Sequence, residues 1–221
     1  MSAPQNDPDA QLAPAPKPII AYLIDAANLI TLAGLLSSIA AITFAVRGEF
    51  HAAAIGLVLA FFFDGIDGPV SKRIASRADA DRAFGANLDS LVDMAGAGVT
   101  LAVVLLAYGE FGAAYVPGAL ALGGAAALRL SYFNVHGLAP GTTRYVGLPT
   151  DQGIIAIAAV MLLDGALDRD LFQIVIYAAG VGVAAVMVSP LRIPKLGGAA
   201  FWAFNGIALA IAGAHAVLLV A

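Results

Sequence analysis

Residues 61–94 decide the fold: they read FFFDGIDGPVSK at 61–72 and FGANLDSLVDM at 84–94, with a short charged loop between them. Two otherwise apolar segments here carry four carboxylates: Asp64, Asp67, Asp89 and Asp93. The first two are three residues apart, and the last two are four residues apart. Both spacings place side chains on one face of a helix. If the segments pack as antiparallel helices, all four carboxylates point at one place.

Four like charges near lipid depth repel one another and lose their hydration. Two divalent cations would cancel the charge, and carboxylate and water ligands suit Mg²⁺, Mn²⁺ or Ca²⁺. The pattern therefore predicts a two-metal site for phosphoryl chemistry, with Mg²⁺ or Mn²⁺ as the working ion and Ca²⁺ as an inert occupant. The alternative is that each carboxylate pairs with a basic side chain. The candidates are Lys72, Arg73, Arg77, Arg82 and Arg129.

The composition is that of an integral membrane protein. Of 221 residues, 61% are hydrophobic and 12% are charged, whereas a soluble domain is about 25% charged. Repeated apolar runs of about 20 residues predict a helical bundle, because a helix of that length crosses the hydrocarbon core. The chain has no cysteine, which excludes disulfides and thiolate metal sites. No nucleic-acid partner is expected.

The chain divides into a tail and one transmembrane domain. Residues 1–17 are rich in Pro, Ala and polar residues and predict a disordered cytoplasmic tail. Residues 18–221 form the domain. A single helix over the apolar run 19–46 would be about 42 Å long, which exceeds the roughly 30 Å core. We therefore predict an interfacial helix at 19–26 and seven spans, at about 28–46, 51–72, 84–108, 113–134, 147–164, 171–189 and 197–220.

The basic residues predict an orientation. With seven spans, eight Lys and Arg residues fall on one side of the membrane and two, Arg47 and Arg169, on the other. Lys and Arg are enriched in the cytoplasmic loops of membrane proteins. The tail and the loops at 73–83, 135–146 and 190–196 are therefore predicted to be cytoplasmic. The two carboxylate pairs then lie within about 15 Å of that face, in a site open to the cytosol.

The acidic and glycine residues between Asp64 and Asp93 follow a known motif. Asp64-xx-Asp67-Gly68-xx-Ser71-Lys72, followed by Gly85-xxx-Asp89-xxx-Asp93, resembles the D-xx-D-G-xx-A-R and G-xxx-D-xxx-D signature of the CDP-alcohol phosphotransferases. Ser71-Lys72 stands where Ala-Arg is usual, and the spacer is longer than is common. The segment from Asn28 to Thr31 resembles the family's opening N-xx-T. The resemblance implies an all-α membrane protein, with a six-helix bundle plus an additional C-terminal transmembrane helix.

A second set of motifs is similar to the bacterial phosphatidylserine synthases. The run RLSYFNV at 129–135, the turn Gly147-Leu148-Pro149 and the stretch from Met187-Val188-Ser189 to Pro194 and Lys195 all match that branch. After the turn, however, Thr150-Asp151-Gln152 stands where small residues or Pro are usual. An extra carboxylate near the acceptor side is a sign that the alcohol could differ.

The resemblance implies metal-dependent transfer of a phosphatidyl group from CDP-diacylglycerol to the hydroxyl of a small polar alcohol, with release of CMP. L-Serine is the favoured acceptor; inositol or its phosphate, glycerol phosphate and choline are the alternatives. It also implies a homodimer among the lipids of the bacterial inner membrane.

The residue roles follow from the matched motifs. Asp93 is expected to be the general base. The metal ligands are expected to be Asp64, Asp67, Asp89 and Asp93. The CDP contacts are expected to be Gly68, Ser71, Lys72, Gly85, Asp67, Asn28 and Thr31. The acceptor or phosphate contacts are expected to be Arg129, Arg144 and Asn134.

Two other classes of function compete with this one. Intramembrane carboxylates also serve as proton or cation relays in transporters, but here the acids cluster at one face, with no chain of polar groups leading to the other. An inactive homologue that only binds a CDP-lipid is the other alternative. The presence of Asp93, the expected base, argues against it.

Overall fold

The computed structural model describes residues 17–73 and 78–221, and it describes residues 67–69, 72 and 73 by their backbone alone. The helices are α1 Ala26–Val46, α2 Phe50–Arg73, α3 Asp79–Asp93, α4 Leu101–Tyr108, α5 Val116–His136, α6 Thr150–Met161, α7 Arg169–Met187 and α8 Gly198–Val220. The strands are β1 Arg144–Val146 and β2 Arg192–Pro194. Most of the predicted tail lies outside the described residues.

The protein is an all-α integral membrane protein. Within the described residues, five helical units are long and apolar enough to cross a membrane: Ala26–Val46, Asp79–Tyr108, Ala113–His136, Arg169–Met187 and Gly198–Val220. Large apolar side chains such as Leu36, Leu120 and Ile174 are exposed on the outer faces of the bundle, as is typical of a surface that meets lipid. A helix lies at each of the seven predicted spans, and at the third span three helical segments follow one another without a break.

The chain enters the bundle through a capped helix. A 3₁₀ helix covers Ile19–Ile24, and Asp25 then caps α1, its carboxylate accepting from the backbone N–H of Ala27 at 3.0 Å. A side-chain cap of this kind favours a helix start at the next residue. The first span therefore begins at Ala26, two residues before the prediction, and the short helix is tighter than expected. Its place in the membrane interface stays a prediction.

A π-helical segment, Met94–Thr100, joins α3 to α4 immediately after Asp93. Thr100 is fully buried, and its Oγ1 donates to the carbonyl oxygen of Ala95 at 2.8 Å. Such segments are rare and often occur at functional sites. The sequence analysis did not predict this one.

The fifth span is shorter than its prediction of 147–164. Helix α6 has 12 residues, about 18 Å at the normal helix rise. It ends at Met161, and it begins at Thr150 because Gly147, Leu148 and Pro149 form a turn instead. Gly147 has φ +74°, and a Cβ there would collide with the carbonyl oxygen of Met187. Only glycine tolerates both conditions. The turn therefore packs tightly against the C-terminus of α7.

The core lies where α2, α4, α5, α6 and α7 meet. Its fully buried members include Leu57, Leu101, Leu122, Met161 and Ile176. The C-terminal helix α8 joins this core through His215, whose Nδ1 lies 2.9 Å from Nδ1 of His51 and whose Nε2 lies 2.9 Å from the carbonyl oxygen of Ala158. One residue of α8 thus ties it to both α2 and α6.

Two short strands follow α5 and α7. They pair antiparallel, with Arg144 opposite Pro194 and Val146 opposite Arg192. Three residues a strand is too short to show the alternation that predicts a sheet, and the sequence analysis treated both stretches as loops. The pairing holds Tyr145 against the end of α5.

Candidate active site

Helices α2 and α3 bring three of the four signature carboxylates together. The side chains of Asp64, Asp89 and Asp93 each offer an oxygen, and these oxygens lie within 4.8 Å of one another. All three side chains are partly buried. The fourth residue, Asp67, lies on α2, but its side chain is outside the described part of the chain.

The cluster concentrates negative charge. At a separation of 4.8 Å two like charges repel by about 3.5 kcal/mol in a medium with an effective dielectric constant near 20. Oxygen donors at this spacing match the ligand set that hard divalent cations prefer. The donor set therefore fits the predicted metal site.

Two basic residues that could neutralise the cluster are paired elsewhere. The Lys17 ammonium binds both carboxylate oxygens of Asp81 at 2.8 Å, and this hydrogen bond raises the pKa of Lys17. Arg82 pairs with Asp79 at 3.1 Å. The Lys72 and Arg73 side chains and Arg77 lie outside the described part of the chain.

A further carboxylate borders the cluster. Asp151, at the start of α6, lines the same narrow cleft as Asp64 and Asp93, together with Ser38 and Thr150. The sequence marked Asp151 as an extra carboxylate near the acceptor side, but Asp151 was not among the predicted site residues. The sequence did contain a sign of its importance. Asp151 departs from the family motif after Gly147-Leu148-Pro149, because it places a charge where small residues or Pro are usual.

Arg129 is a buried basic residue in this region. It is only 6% exposed, and its Nε has no hydrogen-bond partner among the described residues. The guanidinium lies 5.3 Å from the ring centre of Phe133 and 5.5 Å from that of Tyr145, and it is attracted by the charges of Asp151 and Asp93. Burial, with the charge of Asp151 adding to it, raises the pKa of the Tyr145 phenol. Arg129 therefore lies beside the acidic cleft.

A larger cavity also borders Arg129. It has a volume of about 440 Å³ and is mainly apolar. Its walls are Leu128, Arg129, Tyr132, Val146, Met187, Val188, Ser189 and Pro190. Two of the matched motifs, the one that contains Arg129 and the Met187-Val188-Ser189 stretch, therefore border the same cavity.

The structure describes the side chains of only some of the predicted CDP contacts. Asn28 and Thr31 are buried; Asn28 Nδ2 donates to the carbonyl oxygen of Tyr22, and Thr31 Oγ1 donates to that of Ala27, each at 3.0 Å. Ser71 and Gly85 are half-buried. Gly68 and the Lys72 side chain are outside the described part. The role of this set in binding CDP stays a prediction.

The other two predicted acceptor contacts lie further out. Asn134 is exposed, and its Nδ2 donates to Ser90 Oγ on α3 at 2.9 Å, which places it next to the residue that follows Asp89. Arg144 is exposed on β1 and is not among the described residues that line the acidic cleft. Of the three predicted acceptor contacts, Arg129 alone is buried.

Comparison with known proteins agrees with this arrangement. The family model for CDP-alcohol phosphatidyltransferases matches residues 24–190, which include the whole carboxylate cluster. The chain belongs to the CDP-alcohol phosphatidyltransferase family. It is therefore a transferase that acts on CDP-alcohol substrates in a lipid environment.

One curated member of the family is similar over most of its length. The archaetidylserine synthase of Methanothermobacter thermautotrophicus is 29% identical over 174 residues, which cover 77% of this chain and 70% of that protein. This similarity supports the serine-type branch of the CDP-alcohol phosphatidyltransferases.

Proposed function

We propose that this CDP-alcohol phosphatidyltransferase moves the phosphatidyl group of CDP-diacylglycerol to the hydroxyl of L-serine, and that it does so with two divalent cations. The observation that carries this proposal is the convergence of Asp64, Asp89 and Asp93 within 4.8 Å. The motifs at 129–135 and 147–149 and the archaetidylserine synthase relative support serine as the acceptor.

The carboxylates of Asp64, Asp67, Asp89 and Asp93 would hold the metal ions. When bound, the cations neutralise the pyrophosphate of the donor and stabilise the charge on departing CMP. Gly68, Ser71, Lys72, Gly85, Asn28 and Thr31 would bind the CDP part, on the basis of the matched family motifs.

Asp93 would act as the general base, because a serine hydroxyl is a weak nucleophile without one. The acceptor oxygen forms a bond to the phosphorus that carries the lipid, as its proton passes to the Asp93 carboxylate. The bond from that phosphorus to the bridging oxygen breaks. CMP leaves with the electron pair, and the proton then passes to solvent.

The excess of basic residues on one side supports a site that faces the cytoplasm of a bacterial inner membrane. Arg82, Arg144 and Arg192 all belong to that side. A homodimer remains an expectation from the family resemblance.

CMP release tests the proposal. Purified protein in detergent is given CDP-diacylglycerol, Mg²⁺ or Mn²⁺, and each acceptor in turn: L-serine, inositol, inositol phosphate, glycerol phosphate and choline. L-Serine should give the fastest release, and Asp93→Asn should abolish it while the protein stays folded. Asp170→Asn, an exposed change in the first turn of α7, is the matched control. Unchanged turnover in Asp93→Asn would remove the base assignment.

A further inference from the structure

Asp151 has no part in the function proposed so far, although it lies at the site. It shares the cleft with Asp64 and Asp93, and its own Oδ1 accepts the backbone N–H of Gln152 at 2.8 Å. A buried carboxylate is costly unless a positive group meets it. Adding one more negative charge beside the metal ligands makes sense if the substrate brings a positive charge there.

Arg129 supplies the opposite charge in the same region. Its side chain is buried, its Nε is without a partner among the described residues, and the charges of Asp151 and Asp93 attract it. The rings of Phe133 and Tyr145 lie within 5.5 Å of the guanidinium carbon, which restricts the plane of the group. A planar guanidinium binds a carboxylate through two parallel hydrogen bonds, and Nε can supply one of the two donors.

We propose that Asp151 and Arg129 form a two-ended acceptor site, in which Asp151 binds the ammonium group and Arg129 binds the carboxylate of an amino acid whose hydroxyl lies next to Asp93. This inference rests on the proposed phosphatidyl transfer and specifies its acceptor class. A hydroxy-amino acid carries the three groups on neighbouring carbons. Asp151 and Asp93 line the cleft, and the charge of Arg129 interacts with both of them from beside it.

The same arrangement disfavours the other acceptors. Glycerol phosphate and inositol phosphate have an anion for Arg129 but no cation for Asp151, so the buried Asp151 carboxylate would lack its substrate partner. Choline has no carboxylate, so the buried guanidinium of Arg129 would lack its substrate partner. Inositol has no charge with which to meet either side chain.

Three compounds that carry a hydroxyl group test the two ends of the acceptor site separately. L-Serine has both charges, ethanolamine lacks the carboxylate, and 3-hydroxypropionate lacks the ammonium. For Asp151→Asn we expect kcat/KM to fall on the order of 30-fold to 100-fold with L-serine and ethanolamine and much less with 3-hydroxypropionate. For Arg129→Gln we expect the reverse pattern: kcat/KM should fall with L-serine and 3-hydroxypropionate, and it should fall least with ethanolamine. Compounds that turn over too slowly are measured as competitive inhibitors of L-serine transfer.

A selectivity change of this kind is not what a merely structural defect produces. An equal loss with all three compounds in Asp151→Asn would overturn the assignment. If that variant does not fold, the wild-type protein carries the test: 3-hydroxypropionate must compete at least about tenfold more weakly than L-serine binds, and equal affinity overturns the assignment. CMP release with other alcohols but with none of these three would overturn the acceptor site alone. No CMP release with any alcohol would instead overturn the proposed function.

Discussion

Asp64 on α2 and Asp93 at the end of α3 present carboxylate oxygens within 4.8 Å of each other, although they belong to separate helices and lie in an apolar bundle. Asp89 joins them one turn earlier on α3. Such a grouping is stable only if something positive neutralises it. Bound divalent cations would neutralise it, with Asp89 as one of their ligands.

Removal of divalent cations should abolish phosphatidyl transfer. With excess EDTA we expect no CMP release, and Mg²⁺ or Mn²⁺ should restore it because both accept carboxylate and water ligands. Ca²⁺ should bind without supporting turnover. CMP release measured against free metal concentration checks this.

The same titration separates the ligands from other carboxylates. Asp89→Asn should raise the metal concentration at half-maximal rate by at least about tenfold, since a carboxylate ligand is lost. Asp170→Asn should leave it unchanged. Full activity in EDTA-treated protein would contradict the metal site.

Gly147→Ala should destabilise the protein. The residue has φ +74°, and a Cβ would meet the carbonyl oxygen of Met187; strain of this kind costs on the order of 1–3 kcal/mol. The turn that leads to Asp151 would shift as well, so the rate with L-serine should fall. Thermal unfolding in detergent and CMP release measure the two effects.

Gly123→Ala is the matched control. Gly123 lies inside α5, and a Cβ there meets nothing within 4 Å. Alanine is the better helix former by about 1 kcal/mol, so this change should be neutral or stabilising. Equal losses in the two variants would refute the strain at Gly147.

His215→Ala should loosen α8. The ring is fully buried and contacts both His51 and the carbonyl oxygen of Ala158 at 2.9 Å. Loss of these bonds and of the packed ring should destabilise the protein by about 2–4 kcal/mol. His136→Ala, an exposed change at the end of α5, should cost less than about 0.5 kcal/mol. Thermal unfolding compares them, and similar transition temperatures would argue against a structural role for His215.

The sequence predicted the features that depend on local spacing. Apolar runs of helical length predicted seven spans; a helix lies at each, and five helical units of the described chain are long and apolar enough to cross a membrane. The spacings of Asp64, Asp67, Asp89 and Asp93 predicted that each pair lies on one face of its helix. The structure brings together the three of these carboxylates whose side chains it describes. Such patterns are visible in sequence because helical periodicity is set by neighbours three and four residues apart.

Features that depend on distant partners were not predictable in the same way. His51 and His215 meet across 164 residues of sequence, and only the fold brings them together. Strands β1 and β2 are too short for a pattern. Asp151 was noticed as an exception to the family motif, but its place beside Asp93 required the three-dimensional arrangement. The predicted start of the fifth span at Gly147 was wrong: α6 begins at Thr150, after a turn that packs against the end of α7.

Thr100→Val should disturb the site from a distance. Thr100 closes the π-helical segment that follows Asp93, through its bond to the carbonyl oxygen of Ala95, and valine has the same shape without the hydroxyl. We expect a loss of about 1 kcal/mol in stability and a several-fold lower kcat, because the segment sets where Asp93 leaves α3. Thr43→Val is the matched control, since Thr43 makes the same kind of bond, to Ile39 at 2.9 Å, at an exposed position of α1. Unfolding curves and CMP release should separate the two variants; if both keep the wild-type kcat, the π-helical segment does not position the base.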